Sequence, residues 1–165
     1  MTATADIARI IAQEEAIAFT RFDEAEAFAL GSRMRDRALE DDLPIVVDIR
    51  TWDRPLFYAA LPGSSASNAD WARRKINVVK MFHKSTFRMF LEQGASVQEL
   101  GARHGLSASE YVLAGGAFPI RVEGAGVIGA IAISGLPQRE DHALVVSVLC
   151  AHLGLDAEAL ALPSE

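Results

Sequence analysis

A glycine-rich stretch at residues 115–135 limits the possible folds of this chain most strongly. It reads GGAFPIRVEGAGVIGAIAISG, and residues 124–129 match the G-x-G-x-x-G fingerprint of dinucleotide-binding proteins. That fingerprint needs a strand before the glycines and a helix after them, because the helix N-terminus holds the pyrophosphate. Here the residues after Gly126 are β-branched and interrupted by Gly129, which indicates a second strand. The stretch therefore predicts a hairpin whose turn glycines take positive φ, with Gly129 marking a bulge or a close backbone approach, and it excludes a Rossmann site.

Hydrophobic periodicity and capping residues predict the other elements. Asp23 caps the second helix, whose Phe28, Met34 and Leu39 are expected to face the core. The predicted helices cover residues 6–20, 24–41 and 69–93, then a short helix or turn with Val97 in 96–105 and a last helix from Pro137 to Gly154. The predicted strands cover residues 43–50, 55–61, 111–113, 118–123 and 127–134. This order predicts an α+β fold, an antiparallel sheet of about five strands flanked by helices.

Charge and cysteine content exclude several classes of function. The formal net charge of −6 disfavours nucleic-acid binding. The uncharged run at 124–138 is too short and too rich in glycine to span a bilayer, and the first residues lack the basic region of a secretory signal. The one cysteine, Cys150, suits a reducing compartment. We therefore expect a cytoplasmic protein with a single domain over residues 1–165 and with neither nucleic acid nor membrane as a partner.

Three polar residues fall on the apolar face of the predicted helix 69–93. At about 100° per residue, Lys75 lies near the centre of that face, together with His83 and Thr86. Lys75 either reaches past the sheet edge, pairs with Asp48 or Asp53, or lines a functional pocket, since a buried lysine rarely lacks a partner. Thr86 is either a core threonine bonded to a carbonyl one turn back or a pocket residue. His83 is a core histidine, an axial ligand or a proton shuttle.

The remaining reactive residues do not form a recognisable catalytic or metal motif. Asp141 and His142 are neighbours that point about 100° apart on a helix, so we expect Asp141 to cap that helix. His142 and His152 lie too far apart along the same helix to share a metal, and we expect no metal site. Cys150 lies in an apolar helical run and is expected to be a small core residue. Catalytic residues therefore remain unassigned.

Several segments of the chain carry a family resemblance. The segment GGAFPIRVEGAGVIGAIAISGLPQREDH is similar to the C-terminal signature of the GlcG/HbpS-like family, and most of all to its branch labelled haem-degrading-domain-containing proteins. PIVVDIR, WARRK at residues 71–75 and FHKST at residues 82–86 extend the resemblance over nearly the whole chain. It implies a profilin-like α-β-α sandwich, assembly into symmetric oligomers and, as in some members, binding of haem or a related tetrapyrrole.

These observations lead to three hypotheses about function. The first is a homo-oligomer that binds a small molecule, with haem as the candidate cofactor and Lys75, His83 and Thr86 in the pocket. Gly115 and Gly116 would let the backbone approach the ligand closely. The second is an interaction or adaptor protein without ligand chemistry. The third is an enzyme that uses Lys75 or His83 as an acid–base or Schiff-base residue.

Overall fold

The computed structural model describes residues 3–96 and 98–163, so the predicted position of Val97 lies outside the described residues. No helix within these ranges is long and apolar enough to cross a membrane. A short 3-10 turn occupies Ala102–His104. The helices are α1 (Ala3–Ala16), α2 (Glu24–Glu40), α3 (Ala66–Phe82), α4 (Thr86–Glu92), α5 (Gln138–Leu153) and α6 (Ala157–Leu160); the strands are β1 (Val46–Thr51), β2 (Pro55–Ala60), β3 (Ala117–Val122) and β4 (Gly126–Ser134).

The four strands form one antiparallel sheet in the order β2-β1-β4-β3. The predicted glycine hairpin is confirmed, since β3 turns into β4 through Gly124 and Gly126, whose φ angles are 76° and 82°. The close approach predicted at Gly129 is also confirmed. A Cβ there would lie 2.1 Å from the Arg50 carbonyl oxygen of the neighbouring strand. The glycines that match the phosphate-loop pattern therefore form a hairpin turn and allow the strands to pair closely.

Helices cover both faces of the sheet, which confirms the predicted α-β-α sandwich. On one face, α2 and α5 pack on large apolar side chains that include Ile49, Phe118 and Ile133. On the other face, α3 packs on small residues of β3 and β4. Those small residues are Ala117, Ala130 and Ala132. Strand alternation alone explains this division, because neighbouring residues of a strand point to opposite faces.

Two predictions about the core are wrong. Residues 111–113 form no strand; instead, the Leu113 amide donates to the Gln98 carbonyl oxygen at 2.7 Å, and Leu113 packs between α3 and α4. The segment is apolar because it is buried against helices, a pattern that a short strand shares. Met34 is buried as expected, whereas Phe28 and Leu39 are exposed.

The predicted helix 69–93 is also wrong in one respect, because it breaks into α3 and α4. His83 takes a left-handed conformation with φ of 54°, which ends α3. The Ser85 amide then donates to a carboxylate oxygen of Glu14 at 2.7 Å, so a side chain of α1 satisfies the start of α4. Gly94 follows the end of α4 with positive φ, as predicted for a glycine at that position.

Candidate ligand-binding site around Lys75

A buried ion pair joins α3 to the first turn of α5. The Lys75 ammonium donates to Asp141 Oδ2 and to the Ile133 carbonyl oxygen, each at 3.0 Å. The other carboxylate oxygen of Asp141 accepts a hydrogen bond from the Leu136 amide at 3.1 Å. Lys75 and Asp141 are 2% and 1% exposed, respectively. The partner of Lys75 is therefore Asp141, so two of the alternatives, a pairing with Asp48 or Asp53 and a side chain that reaches past the sheet edge, are wrong.

Burial changes the proton affinity of both members of this pair. Desolvation lowers the pKa of Lys75, and the attraction of Asp141 opposes that shift only in part. Desolvation also raises the pKa of Asp141, against the attraction of Lys75 and the hydrogen bond from Leu136. Both shifts favour the neutral amine and the neutral acid, because a surrounding of low polarity disfavours charge. Burial therefore narrows the difference in proton affinity between the amine and the carboxyl group.

Two glycines bring the backbone against this pair. A Cβ at Gly116 would lie 2.6 Å from the Ile133 carbonyl oxygen and 2.8 Å from the Lys75 nitrogen, and the φ angle there is 124°. A Cβ at Gly115 would lie 2.1 Å from the Gln138 carbonyl oxygen. Only glycine permits this crossing of the chain over the start of α5. A ligand contact at either glycine stays a prediction.

The ion pair lies in the wall of a pocket between α3 and the start of α5. We call this cavity of about 230 Å³ the Lys75 pocket. Trp71, one turn before Lys75, supplies an aromatic wall, and backbone around Gly135 supplies part of another. The full lining is Asn68, Trp71, Lys75, Gln98, Ala114, Ser134, Gly135, Leu136, Gln138 and Asp141.

The Lys75 pocket contains polar groups whose hydrogen bonding is incomplete. Ser134 is 5% exposed, and its hydroxyl makes no hydrogen bond to any residue within 3–96 or 98–163. The Asn68 carboxamide accepts from the Ser65 amide at 2.8 Å, which leaves its NH₂ group without a partner among the same residues. Neither atom belongs to the fully buried polar atoms without a partner among the described residues, so both are open to water or to a ligand in the cavity. The pocket can thus hold a small polar molecule.

Thr86 does not line the Lys75 pocket. It is fully buried at the start of α4, where its Oγ1 accepts from the Ala117 amide at 3.1 Å and approaches the Ala117 carbonyl oxygen at 3.4 Å. The interpretation as a core threonine agrees with this geometry, but its partner is β3 and not a carbonyl one turn back. Thr86 fixes α4 to the sheet edge, and a ligand-binding role stays a prediction.

His83 also lies away from the Lys75 pocket. Its imidazole is exposed at the end of α3 and stacks on Trp52, with ring centroids 6.4 Å apart and planes 8° from parallel. The interpretation of His83 as a core residue does not agree with this exposure. The structure therefore places Lys75, His83 and Thr86 at three separate locations, and of the three only Lys75 lines the pocket.

Sequence reasoning missed the partner residues of the Lys75 pocket. We expected Asp141 to cap α5, but Pro137 is the N-cap and Asp141 lies in the first turn, where it meets Lys75. The available signal was the lysine itself, since a buried ammonium requires a buried acceptor. Ser134 carried no such signal, because nothing in a strand sequence shows that a hydroxyl lacks a partner.

Larger cavities lie on the outer side of α5, but their chemistry is less specific. One of about 310 Å³, between α1, α5 and the end of the chain, is lined mainly by apolar groups of Ala143, Val146 and Leu162. Another of about 500 Å³ is an open groove between α2 and α5. Neither contains a buried ion pair or the unpaired serine, so we place the candidate site at the Lys75 pocket despite its smaller volume.

The buried histidines do not form a metal site. His142 is enclosed beside Phe118, and its Nε2 is 2.8 Å from the carboxamide oxygen of Gln13. Desolvation, helped by the positive charge of Arg139, lowers the pKa of His142 to about 3. His152 instead contacts Glu26 at 2.6 Å. Within residues 3–96 and 98–163, no group of three or more histidine, cysteine, aspartate or glutamate residues could hold a metal ion.

Comparisons with known proteins agree with this architecture. The chain is 60% identical over 165 residues to a UPF0303 protein of Mesorhizobium japonicum, covering 100% of this chain and 99% of that protein. The crystal structure of the Ybr137w protein superposes with a TM-score of 0.83 at 27% identity, covering 92% of each chain. The crystal structure of a PduOC:heme complex superposes with a TM-score of 0.64 at 18% identity, covering 79% of this chain and 94% of that one.

A family model described as haem degrading protein HbpS-like matches residues 22–149. The matched region runs from the start of α2 through most of α5 and contains both members of the ion pair. The same region includes the two glycines that cross over the pair and the strand that carries Ser134. On the match over most of its length, the chain belongs to the HbpS-like family.

Proposed function

We propose that this protein binds a small polar molecule in the Lys75 pocket and works as a homo-oligomer. The observation that carries the proposal is the buried Lys75–Asp141 pair in the wall of a cavity that also holds an unpaired Ser134 hydroxyl. A buried ion pair is weak support for a stabilising role, because apolar residues of similar volume commonly stabilise a fold as well or better. A role in binding accounts for the pair and for the serine together.

The dimensions and charge of the Lys75 pocket limit its ligand. A volume of about 230 Å³ lies below the roughly 300–1,000 Å³ of sites for drug-sized molecules. The charge of Lys75 is already opposed by Asp141, so the pocket carries no net charge. Serine and carboxamide groups pair with carbonyl, hydroxyl or amide groups. We therefore infer a small uncharged polar ligand.

Haem does not fit the Lys75 pocket. The cavity is too small for a macrocycle, and its free donors are a hydroxyl and carboxamides, which are not the usual ligands of haem iron. Lys75, the one strong nitrogen donor in the lining, is held by Asp141 and Ile133. The heme of the PduOC complex therefore gives no reason to place haem in this cavity.

His83 provides a second and separate candidate for haem. Its imidazole is exposed and stacked on Trp52, so a ring nitrogen could reach a ligand at the surface. Hemin titration tests this candidate: a saturable Soret shift that disappears in His83→Ala but persists in His104→Ala and Thr86→Ala supports it. The absence of a shift, or a shift unchanged in His83→Ala, contradicts it.

The edge of the sheet supports self-association. β2 has the sequence PLFYAA without a charged residue, and within the part of the chain that the structure describes, one side of this strand has no neighbour in the sheet. Tyr58 on that strand is 50% exposed, and Phe28 of α2, which contacts Phe57, is 65% exposed. An uncharged open edge is a template for another strand. We propose a second copy of this chain as the partner.

Native mass spectrometry of the purified protein tests both parts of the proposal. We expect an oligomer whose subunits retain a small mass addition in the wild type and in Lys80→Met, where an exposed lysine is changed. Lys75→Met should lose the addition, and Ser134→Ala should weaken it while remaining folded. Retention of the addition in both pocket variants would place the ligand elsewhere, and a monomer would contradict the assembly.

A further inference from the structure

We propose that Lys75 captures a small aldehyde or ketone as an imine, with Asp141 moving the protons. This proposal rests on the proposed function, because it names the ligand class of the same pocket. It begins from geometry: Lys75 lines the pocket, and its nitrogen lies 3.0 Å from Asp141 Oδ2. An amine nucleophile beside a carboxyl group is the arrangement that imine formation needs.

The hydrogen bonds of Lys75 leave one nitrogen position available. An ammonium has three donors, and Lys75 uses two of them, on Asp141 and on the Ile133 carbonyl oxygen. Gly116 lies against the same nitrogen without a side chain to cover it. Once Asp141 has taken a proton, rotation about the Cε–Nζ bond turns the amine lone pair away from Asp141 to this third position, from which it can attack a carbonyl carbon. Burial favours this neutral state, since it lowers the pKa of Lys75 and raises that of Asp141.

The reaction balances within the pair and one carbonyl compound. The amine lone pair forms a C–N bond, and the carbonyl oxygen takes the proton held by Asp141 to give a carbinolamine. The nitrogen returns a proton to Asp141, which passes it to the hydroxyl group. The C–O bond then breaks, water leaves and the iminium ion remains beside the Asp141 carboxylate. No oxidant or reductant is consumed, and the total charge of the pair is unchanged.

The other groups of the Lys75 pocket suit a carbonyl compound. The unpaired hydroxyl of Ser134 can donate to the carbonyl oxygen, and the free NH₂ group of Asn68 can donate to a second polar group. Trp71 provides an apolar surface for a short carbon chain. A cavity of about 230 Å³ limits the compound to a few carbon atoms.

Reductive trapping tests the proposal, because the chain contains only three lysines, Lys75, Lys80 and Lys84. The folded wild-type protein is treated with acetaldehyde and sodium cyanoborohydride near neutral pH, and each lysine peptide is quantified by mass spectrometry. Although Lys75 is the most buried of the three, we expect it to acquire the ethyl group at least about tenfold faster than exposed Lys80. A rate at Lys75 equal to or below that at Lys80 overturns the proposal.

Two variants and one unreactive probe separate the possible failures. Asp141→Asn should slow the labelling of Lys75 without changing Lys80; Ser134→Ala, which disturbs the fold less, should give a smaller loss in the same direction. Equal labelling of Lys75 in wild type and both variants overturns the role of Asp141.

Acetamide, which has a carbonyl group but forms no imine under these conditions, is followed by saturation-transfer NMR. If acetamide binds to the wild type and not to Lys75→Met, but Lys75 is not labelled, the imine is overturned and the proposed function stands. If acetamide does not bind and Lys75 is not labelled, the proposed function fails as well.

Discussion

The two faces of the sheet bury different kinds of side chain. The face under α2 and α5 holds large apolar side chains such as Ile131 and Phe118, and the buried polar groups beside them include His142. The face under α3 is lined by alanines and holds the Lys75–Asp141 pair at its end. The comparison teaches that the face under α2 and α5 supplies most of the apolar burial. The face under α3 has smaller apolar side chains and contains a polar site. Apolar burial is the main stabilising term in a fold, so stability and binding are expected to separate between the faces.

The largest effect should follow from breaking the ion pair. Lys75→Met leaves Asp141 buried without its partner, and we expect a loss of about 3–5 kcal/mol in the free energy of unfolding by urea. The double variant Lys75→Met with Asp141→Leu removes both charges and should recover most of that loss. If the single and double variants are equally unstable, the loss of stability does not come from leaving Asp141 without its partner.

The close approach at Gly116 should give the next largest effect. Gly116→Ala adds a Cβ within 2.6 Å of the Ile133 carbonyl oxygen at a φ of 124°, so we expect a loss of about 3 kcal/mol in thermal or urea unfolding. Gly124→Ala is the matched control, because Gly124 has a φ of 76° but no atom within 4 Å of the added Cβ. Its loss should be about 1 kcal/mol. Equal losses would show that only the backbone angle matters.

The buried His142 on the apolar face should make the free energy of unfolding depend on pH. Burial lowers the pKa of His142 to about 3 from the 6.5 of an exposed histidine, so between these values the unfolded chain binds a proton that the folded chain does not. Stability should therefore fall as pH decreases from 6.5, by roughly 1.4 kcal/mol for each pH unit from this residue. Urea unfolding of His142→Gln should show a smaller acid slope than wild type, while His104→Gln keeps it. An unchanged slope in His142→Gln contradicts the assignment.

The smallest effects on stability are expected from two truncations, one on each face of the sheet. Ile131→Val removes a methylene from the apolar face and should cost about 1 kcal/mol in urea unfolding. Ser134→Ala removes a hydroxyl that makes no hydrogen bond to the described residues and should leave stability unchanged or raise it by up to about 1 kcal/mol. A loss for Ser134→Ala as large as for Ile131→Val would mean that the serine contributes to the fold and is not held for a ligand.

Sequence patterns predicted the sheet well because its signals are local. The glycine turn of β3–β4 and the short connection between β1 and β2 each fix an antiparallel pair within a few residues. The break at His83 has no local signal of this kind, because the partner of the Ser85 amide just before α4 is Glu14, which is distant in sequence. Residues 111–113 were assigned wrongly for a related reason, since an apolar run of three residues carries no periodicity.

The candidate site was predictable only in part. Lys75 stood out because its charge conflicts with the apolar arc around it, and such conflicts between local pattern and overall fold commonly mark functional sites. Asp141 lies 66 residues further along the chain, and only the tertiary fold, which brings the start of α5 to the end of the sheet beside α3, places it next to Lys75. His83 and Thr86 shared the arc of a helix that breaks between them, so the geometry that grouped them does not exist in the fold.

The central claim is that the α3 face holds a binding site in the Lys75 pocket. The most direct measurement is a crystallographic soak with a set of small uncharged fragments bearing carbonyl, amide or hydroxyl groups. We predict that they gather in the Lys75 pocket, with a polar atom within hydrogen-bond distance of the Ser134 hydroxyl. Fragments that occupy the apolar cavity lined by Val146 and Leu162, with none in an accessible Lys75 pocket, would contradict the claim.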